Sequence, residues 1–162
     1  MDTFYSSVTT FSFTLLGLWW GVLQIRHNEW LHDRAKRRMA NSVYIALFVP
    51  GIMSLASQIA PGIPLVWRIV FMIASVGGIT ATLFLTLAMG EHARRGFFFR
   101  VGRWISVALY AFIFFTALLP TAYAAIGVTG LQAEALWLTL LIFLGVMLAW
   151  EGVMEPTEEI KS

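Results

Sequence analysis

The sequence predicts an all-α integral membrane protein, a bundle of five transmembrane helices with the N-terminus outside and the C-terminus in the cytoplasm. Of its 162 residues, 59% are hydrophobic and 12% are charged, whereas an ordinary soluble domain has about 25% charged residues. The mean hydropathy is +0.76. A spanning helix needs about twenty predominantly apolar residues, and the sequence contains five runs of roughly this length.

These five runs are too long for the strands of a membrane barrel and do not alternate in polarity. They are Ser7–Ile25, Ala40–Ala60, Val66–Met89, Trp104–Ile126 and Ala135–Trp150. We therefore expect one transmembrane helical domain over residues 1–153, followed by a short acidic cytoplasmic tail over 154–162 that contains Glu155, Glu158 and Glu159.

The basic residues predict the orientation, because short loops rich in Lys and Arg stay in the cytoplasm. Five cations lie between the first two spans, four lie between the third and fourth, and Lys161 lies in the tail, whereas Arg68 alone falls on the other side. Basic residues follow the first span rather than precede it, which is unlike a secretory signal. We expect a multi-pass protein of the cell membrane.

Two features distinguish individual spans. Pro50 and Pro120 fall inside the second and fourth runs, and proline removes a backbone donor and crowds the preceding turn, so both helices are expected to be kinked. The fifth run has leucines on every side and Trp137 and Trp150 near its ends. It is therefore expected to lie at the periphery of the bundle, facing lipid, with its indoles near the headgroups.

Small and polar residues recur three or four positions apart in the first span, which puts them on one helical face. They are Thr10, Thr14, Gly17, Gly21 and Gln24. The pair Gly17 and Gly21 forms a GxxxG motif, which lets a second backbone approach closely in a membrane. The face is predicted either to pack inside one subunit, or to form a subunit contact or the lining of a pore.

The second and third spans carry similar polar faces, which we expect to meet each other and the face of the first span. Their members are Ser54, Gln58, Ser75, Thr82 and Thr86, with Gly51 and Gly78 beside them. Near the outer ends of the third and fifth spans, Arg68 and Glu134 are predicted to form an interfacial ion pair that locks two helices together.

Few residues offer catalytic chemistry. The chain has no cysteine, and no phosphate-binding loop, nucleophile elbow, dinucleotide fingerprint or HExxH motif occurs in it. A cytoplasmic-face metal site is a weak alternative, formed by Glu29 and His32 from one basic loop and Glu91 and His92 from the other. Solvated charge explains these residues better, so we expect no catalytic residue, no metal and no cofactor.

The second basic loop alternates cations with aromatic rings, an arrangement typical of segments at a lipid interface. Arg94, Arg95, Arg100 and Arg103 are therefore predicted to bind anionic lipid. No nucleic-acid partner is expected, because the cations follow from membrane topology.

The function predicted first is a homo-oligomeric channel or facilitator for ions or small solutes. Five short spans enclose little volume, so a path would run along a symmetry axis lined by the face of the first span. One alternative is a non-catalytic accessory or assembly subunit of a larger membrane complex, which would use the same face for a foreign partner. The second alternative is a membrane enzyme with the metal site named above.

Overall fold

The computed structural model describes residues 2–27, 30, 34–59, 63–88, 97–123 and 127–154. It confirms an all-helical protein with five helices long and apolar enough to cross a membrane. They are α1 (Asp2–Ile25), α2 (Arg34–Ile59), α3 (Pro64–Ala88), α4 (Phe97–Leu118) and α5 (Gly130–Met154). Most extend past the apolar runs into polar sequence, because helical hydrogen bonding satisfies the backbone at a membrane surface as well as inside it.

Four of the helices form a closed ring in which each packs on the next: α2 on α3, α3 on α4, α4 on α5 and α5 on α2. The first helix lies outside this ring, against α2 and α5. The helices run alternately up and down. The starts of α1, α3 and α5 therefore share one end of the bundle, called here the N-terminal end. The described cations Lys36, Arg37 and Arg103 lie towards the opposite end, called here the basic end.

The interior of the ring is filled by large side chains from all four helices. Its fully buried members are Met53 of α2, Phe71 of α3, Tyr110 and Ile113 of α4, and Leu138 and Leu141 of α5. A second buried cluster joins α1 to the ring near the basic end and includes Leu16, Trp19, Trp30, Val43 and Leu47. In this cluster the indole rings of Trp19 and Trp30 pack edge to face, with their centroids 5.8 Å apart.

Glycines set the closest approaches between ring helices. Gly78 of α3 faces the ring of Tyr110, whose carbons would lie 2.5 Å from a methyl group placed on that glycine. Gly145 of α5 lies against Ala46 of α2 in a similar way. Small residues at such points let helix backbones come together, as is usual in membrane bundles.

The fourth span ends earlier than the sequence predicts. Helix α4 stops at Leu118, and Pro120 lies in the turn that follows it rather than inside a kinked helix. Proline disfavours the helical conformation of the residue before it, so this one ends the helix. Pro50, in contrast, does lie inside α2. The connection to α5 passes through Gly127, whose φ of +71° favours glycine.

The predicted peripheral position of α5 is wrong. This helix contacts α1, α2 and α4, and Leu138, Leu141 and Leu148 are buried. Only one side, which includes Leu136, Leu140 and Phe143, is exposed. A helix that is apolar on all sides is typical of a buried position, and here the leucines serve both the core and the outer surface.

Candidate functional site

The polar face predicted in the first span lies on the outside of the subunit. Four of its residues are exposed and Gly21 is half-buried, and no atom lies within 4 Å of a methyl group placed on Gly17 or Gly21. The face therefore does not pack against the residues that the structure describes. We call Thr10, Thr14, Gly17, Gly21 and Gln24 the outer stripe.

The opposite side of α1 holds the helix against the ring. Its buried residues recur at the same spacing as the outer stripe, displaced by half a turn; they are Tyr5, Val8, Ser12, Leu16 and Trp19. Trp19 donates from Nε1 to the carbonyl of Ala40 at 3.3 Å. The exposed Thr3 and Ser7 continue the outer stripe towards the N-terminus. The sequence interpretation assigned neither residue to this face, since it began the face at Thr10, and Thr3 lies before the apolar run.

The outer stripe differs chemically from the most exposed side chains of α3 and α5. On α5 the exposed side chains include Leu136, Leu140, Phe143, Met147 and Trp150, and on α3 they include Leu65, Ile69, Ile73 and Phe84. These are the side chains expected against lipid. On the outer stripe Thr10 satisfies its own donor, its hydroxyl donating to the carbonyl of Ser6 at 3.0 Å, and its oxygen still has acceptor capacity.

The polar faces of α2 and α3 have different hydrogen-bond partners in the described part of the chain. That of α2 points to α1: the Gln58 amide donates to Thr9 Oγ1 at 2.7 Å, and Gly51 lies against Ser12. On α3, Ser75 is buried and donates to its own helix at Phe71. The interhelical contacts of α1 therefore use Thr9 and Ser12, which are not in the outer stripe.

A small polar cavity lies between the four ring helices towards the basic end. Four hydroxyl-bearing residues, Ser42, Thr82, Ser106 and Tyr110, line it together with the half-buried Arg103. Thr86 lies one turn beyond Thr82 and donates to its carbonyl at 2.7 Å. The cavity brings one predicted lipid-binding cation, Arg103, next to one predicted polar residue of the third span, Thr82. The sequence did not indicate this juxtaposition.

The predicted ion pair between Arg68 and Glu134 does not form. The Arg68 guanidinium donates from Nε to the Ala117 carbonyl at 2.9 Å and from Nη2 to the Leu118 carbonyl at 3.0 Å. The last carbonyls of a helix lack partners within it and carry partial negative charge, so they attract this cation. Glu134 instead turns into the protein and is fully buried, with both carboxyl oxygens lacking a hydrogen-bond partner.

Several predicted site residues lie outside the described part of the chain. They are the weak metal candidates Glu29, His32, Glu91 and His92, and the lipid-binding candidates Arg94 and Arg95. Arg100 lies in α4, but its side chain is not described. Within the described ranges, no group of three or more histidine and acidic side chains is arranged to hold a metal ion.

The geometry thus provides an exposed, weakly polar stripe on α1, a small hydroxyl-lined cavity at the basic end and a buried carboxyl at the N-terminal end. No family model matches the chain, and no curated protein or solved structure matches it either.

Proposed function

We propose that the protein acts as a homo-oligomeric channel or facilitator, in which the α1 helices of several copies surround a passage for ions or small solutes. The observation that carries this proposal is the outer stripe. A face of Thr, Gly and Gln residues that projects from the subunit gains little from lipid tails. It gains van der Waals contact and hydrogen bonds from another helix.

The position of the passage follows from the packing of one subunit. The ring interior is packed with large buried side chains such as Phe71, Tyr110 and Leu138, so we propose no passage there. Copies arranged around a closed symmetry axis would bring their outer stripes together. The passage would then run between subunits.

The chemistry of the stripe defines what such a passage would select. Hydroxyl and amide groups replace part of a solute's hydration without contributing charge. The described residues of the stripe include no Lys, Arg, Asp, Glu or His. We therefore propose selection by size and hydration rather than by the sign of the charge.

We also propose the orientation and surroundings. The N-terminus would lie outside and the C-terminus in the cytoplasm of the cell membrane, as the distribution of basic residues favours. Anionic lipid would then contact Arg94, Arg95, Arg100 and Arg103 on the cytoplasmic side.

Disulfide cross-linking tests the assembly directly, because the chain contains no native cysteine. Single Thr10→Cys and Thr14→Cys variants are oxidised in native membranes and analysed for covalent dimers. Leu140→Cys and Phe143→Cys on the exposed side of α5 are matched controls. We expect dimers from the α1 variants and far fewer from the α5 variants.

Two other cross-linking results would contradict parts of the proposal. Equal cross-linking at both helices would contradict a specific contact at the outer stripe. No cross-linking at α1, together with a monomeric native mass in mild detergent, would contradict the homo-oligomer. That result would favour the accessory-subunit alternative, in which a different protein covers the same stripe.

A further inference from the structure

Glu134 is a carboxylic acid enclosed in the protein near the beginning of α5. The exposed fraction of this residue is 0%, and neither carboxyl oxygen has a hydrogen-bond partner. It lies four residues after Gly130, where the helix begins, which corresponds to about 6 Å along the helix axis. An ionised carboxylate buried without a partner is strongly unfavourable, so the negative charge needs to be neutralised.

The titratable side chains described at this end of the bundle, which are the ones that could provide a positive charge or a phenolic O–H, are engaged elsewhere. Tyr5 of α1 has one O–H, which it donates to the Leu131 carbonyl at 2.8 Å. Arg68 of α3 donates to the end of α4. The other titratable side chain described at this end is Tyr123, whose hydroxyl is 3.1 Å from that of Thr116. On α2, residues 45–59 contain no titratable group.

Glu134 does not serve as a helix cap. The start of α5 is capped by a reciprocal pair: the Thr129 N–H donates to Gln132 Oε1 at 2.9 Å, and the Gln132 N–H donates to Thr129 Oγ1 at 3.3 Å. This is a capping box. The carboxyl of Glu134 is therefore left without a structural role at the helix end.

We propose that Glu134 is a proton-binding site inside the bundle, where the carboxyl group is held in its neutral, protonated form. A proton is the ligand that fits, because a neutral carboxylic acid needs no counter-charge. A metal cation would require several further oxygen ligands, and no acidic or histidine cluster accompanies Glu134 in the described ranges. Intramembrane ionisable groups commonly mark proton or ion pathways.

The site lies next to the surface that holds α1. The Tyr5 hydroxyl donates to the carbonyl of Leu131, which lies about one turn before Glu134. Tyr5 belongs to the buried side of α1, opposite the outer stripe. Loss of the proton to water would leave a negative charge on Glu134, beside the buried side of α1. This charge would weaken the packing of α1 on α5. Proton binding would thereby control the position of the outer stripe, and this link to the passage rests on the proposed function.

Labelling with dicyclohexylcarbodiimide tests the site, because this apolar reagent adds the O–H of a protonated carboxyl across its C=N bond. The full-length protein in liposomes is treated at neutral pH, and adducts are located by peptide mass spectrometry. We expect Glu134 to react at least tenfold faster than Glu155, Glu158 and Glu159 of the tail. Labelling of Glu134 should fall as the pH is raised.

Glu134→Gln is the matched variant, because an amide has nearly the shape of a neutral carboxyl. It should fold normally, lose this adduct and lose one carboxylic C=O band from the infrared spectrum, whereas Glu151→Gln should keep both. Labelling of Glu134 no faster than the tail, an unchanged infrared spectrum, or failure of Glu134→Gln to fold would overturn the proposal. None of these measurements depends on oligomer formation or flux, so they separate this site from the proposed passage.

Discussion

The Gln58 side chain of α2 donates a hydrogen bond from Nε2 to Thr9 Oγ1 of α1 at 2.7 Å, and it joins the outlying helix to the ring. The same amide donates to the Ser54 carbonyl at 3.1 Å, and the Thr9 hydroxyl donates to the Tyr5 carbonyl at 2.9 Å. The contact is therefore part of a chain of hydrogen bonds. It fixes how α1 is rotated, and thus which of its faces points outwards.

Gln58→Leu and Thr9→Val should each lower the free energy of unfolding. Interhelical hydrogen bonds in membranes are worth about 0.6 kcal/mol on average in double-mutant cycles. We expect a coupling of about this size between the two substitutions, measured by reversible unfolding in mixed micelles. Ser57→Ala is the control, since Ser57 bonds only to its own helix in the described contacts. Strict additivity of Gln58→Leu and Thr9→Val would contradict the interhelical bond.

Gly78 and Gly77 offer a matched pair on α3. A methyl group on Gly78 would overlap the ring of Tyr110, whereas nothing lies within 4 Å of the same position on Gly77. Gly78→Ala should therefore destabilise the fold by about 1–3 kcal/mol, the usual cost of overpacking a core. Gly77→Ala should be neutral or stabilising, because alanine favours the helix. Equal thermal shifts of both variants would contradict the close approach of α3 and α4.

The glycines of the outer stripe should behave in the opposite way to Gly78. Gly17→Leu and Gly21→Leu add bulk where the isolated subunit has open space, so monomer stability should change little. Assembly should fail, because leucine would separate helices in close contact. Native mass spectrometry in mild detergent measures this. Leu136→Ala and Leu140→Ala on the exposed side of α5 serve as controls and should leave the oligomer intact.

Sequence reasoning was most successful where composition and spacing decide the result. The five apolar runs predicted the five helices, and the spacing of Thr10, Thr14 and Gly17 correctly placed them on one side of α1. Which side of a helix faces its neighbours depends on long-range packing. Spacing alone therefore left open whether this face lay inside the subunit or outside it.

The ionisable residues at the N-terminal end were harder to predict. Opposite charges near two helix ends favoured a pair of Arg68 with Glu134, but the unpartnered carbonyls of α4 compete for the guanidinium. Those carbonyls are available because the helix ends at Leu118, two residues before Pro120. The sequence shows the proline, yet whether it kinks or ends a helix depends on the packing of the following turn.

Charge reversal in the second basic loop tests the proposed contact with lipid. Combined Arg94→Glu, Arg95→Glu and Arg100→Glu substitutions should reduce the anionic lipid that copurifies with the protein, while neutral lipid stays nearly unchanged. Each cation near an anionic surface contributes about 1 kcal/mol, so three reversals should give a large effect. Lipid mass spectrometry measures both classes, and unchanged anionic lipid would contradict the contact.

Flux through reconstituted protein tests the proposed lining of the passage. Thr14→Val replaces a hydroxyl by a methyl group of similar size, and Gln24→Leu replaces an amide, so each removes polar groups that would substitute for hydration. We expect flux of small ions or uncharged solutes into liposomes to fall or change in selectivity, while the oligomer persists.

His27→Ala and His32→Ala should leave the flux unchanged, because these residues lie beyond the end of α1. Absence of flux under any gradient would contradict the channel proposal, and loss of activity in the histidine variants alone would favour a metal site at the basic end.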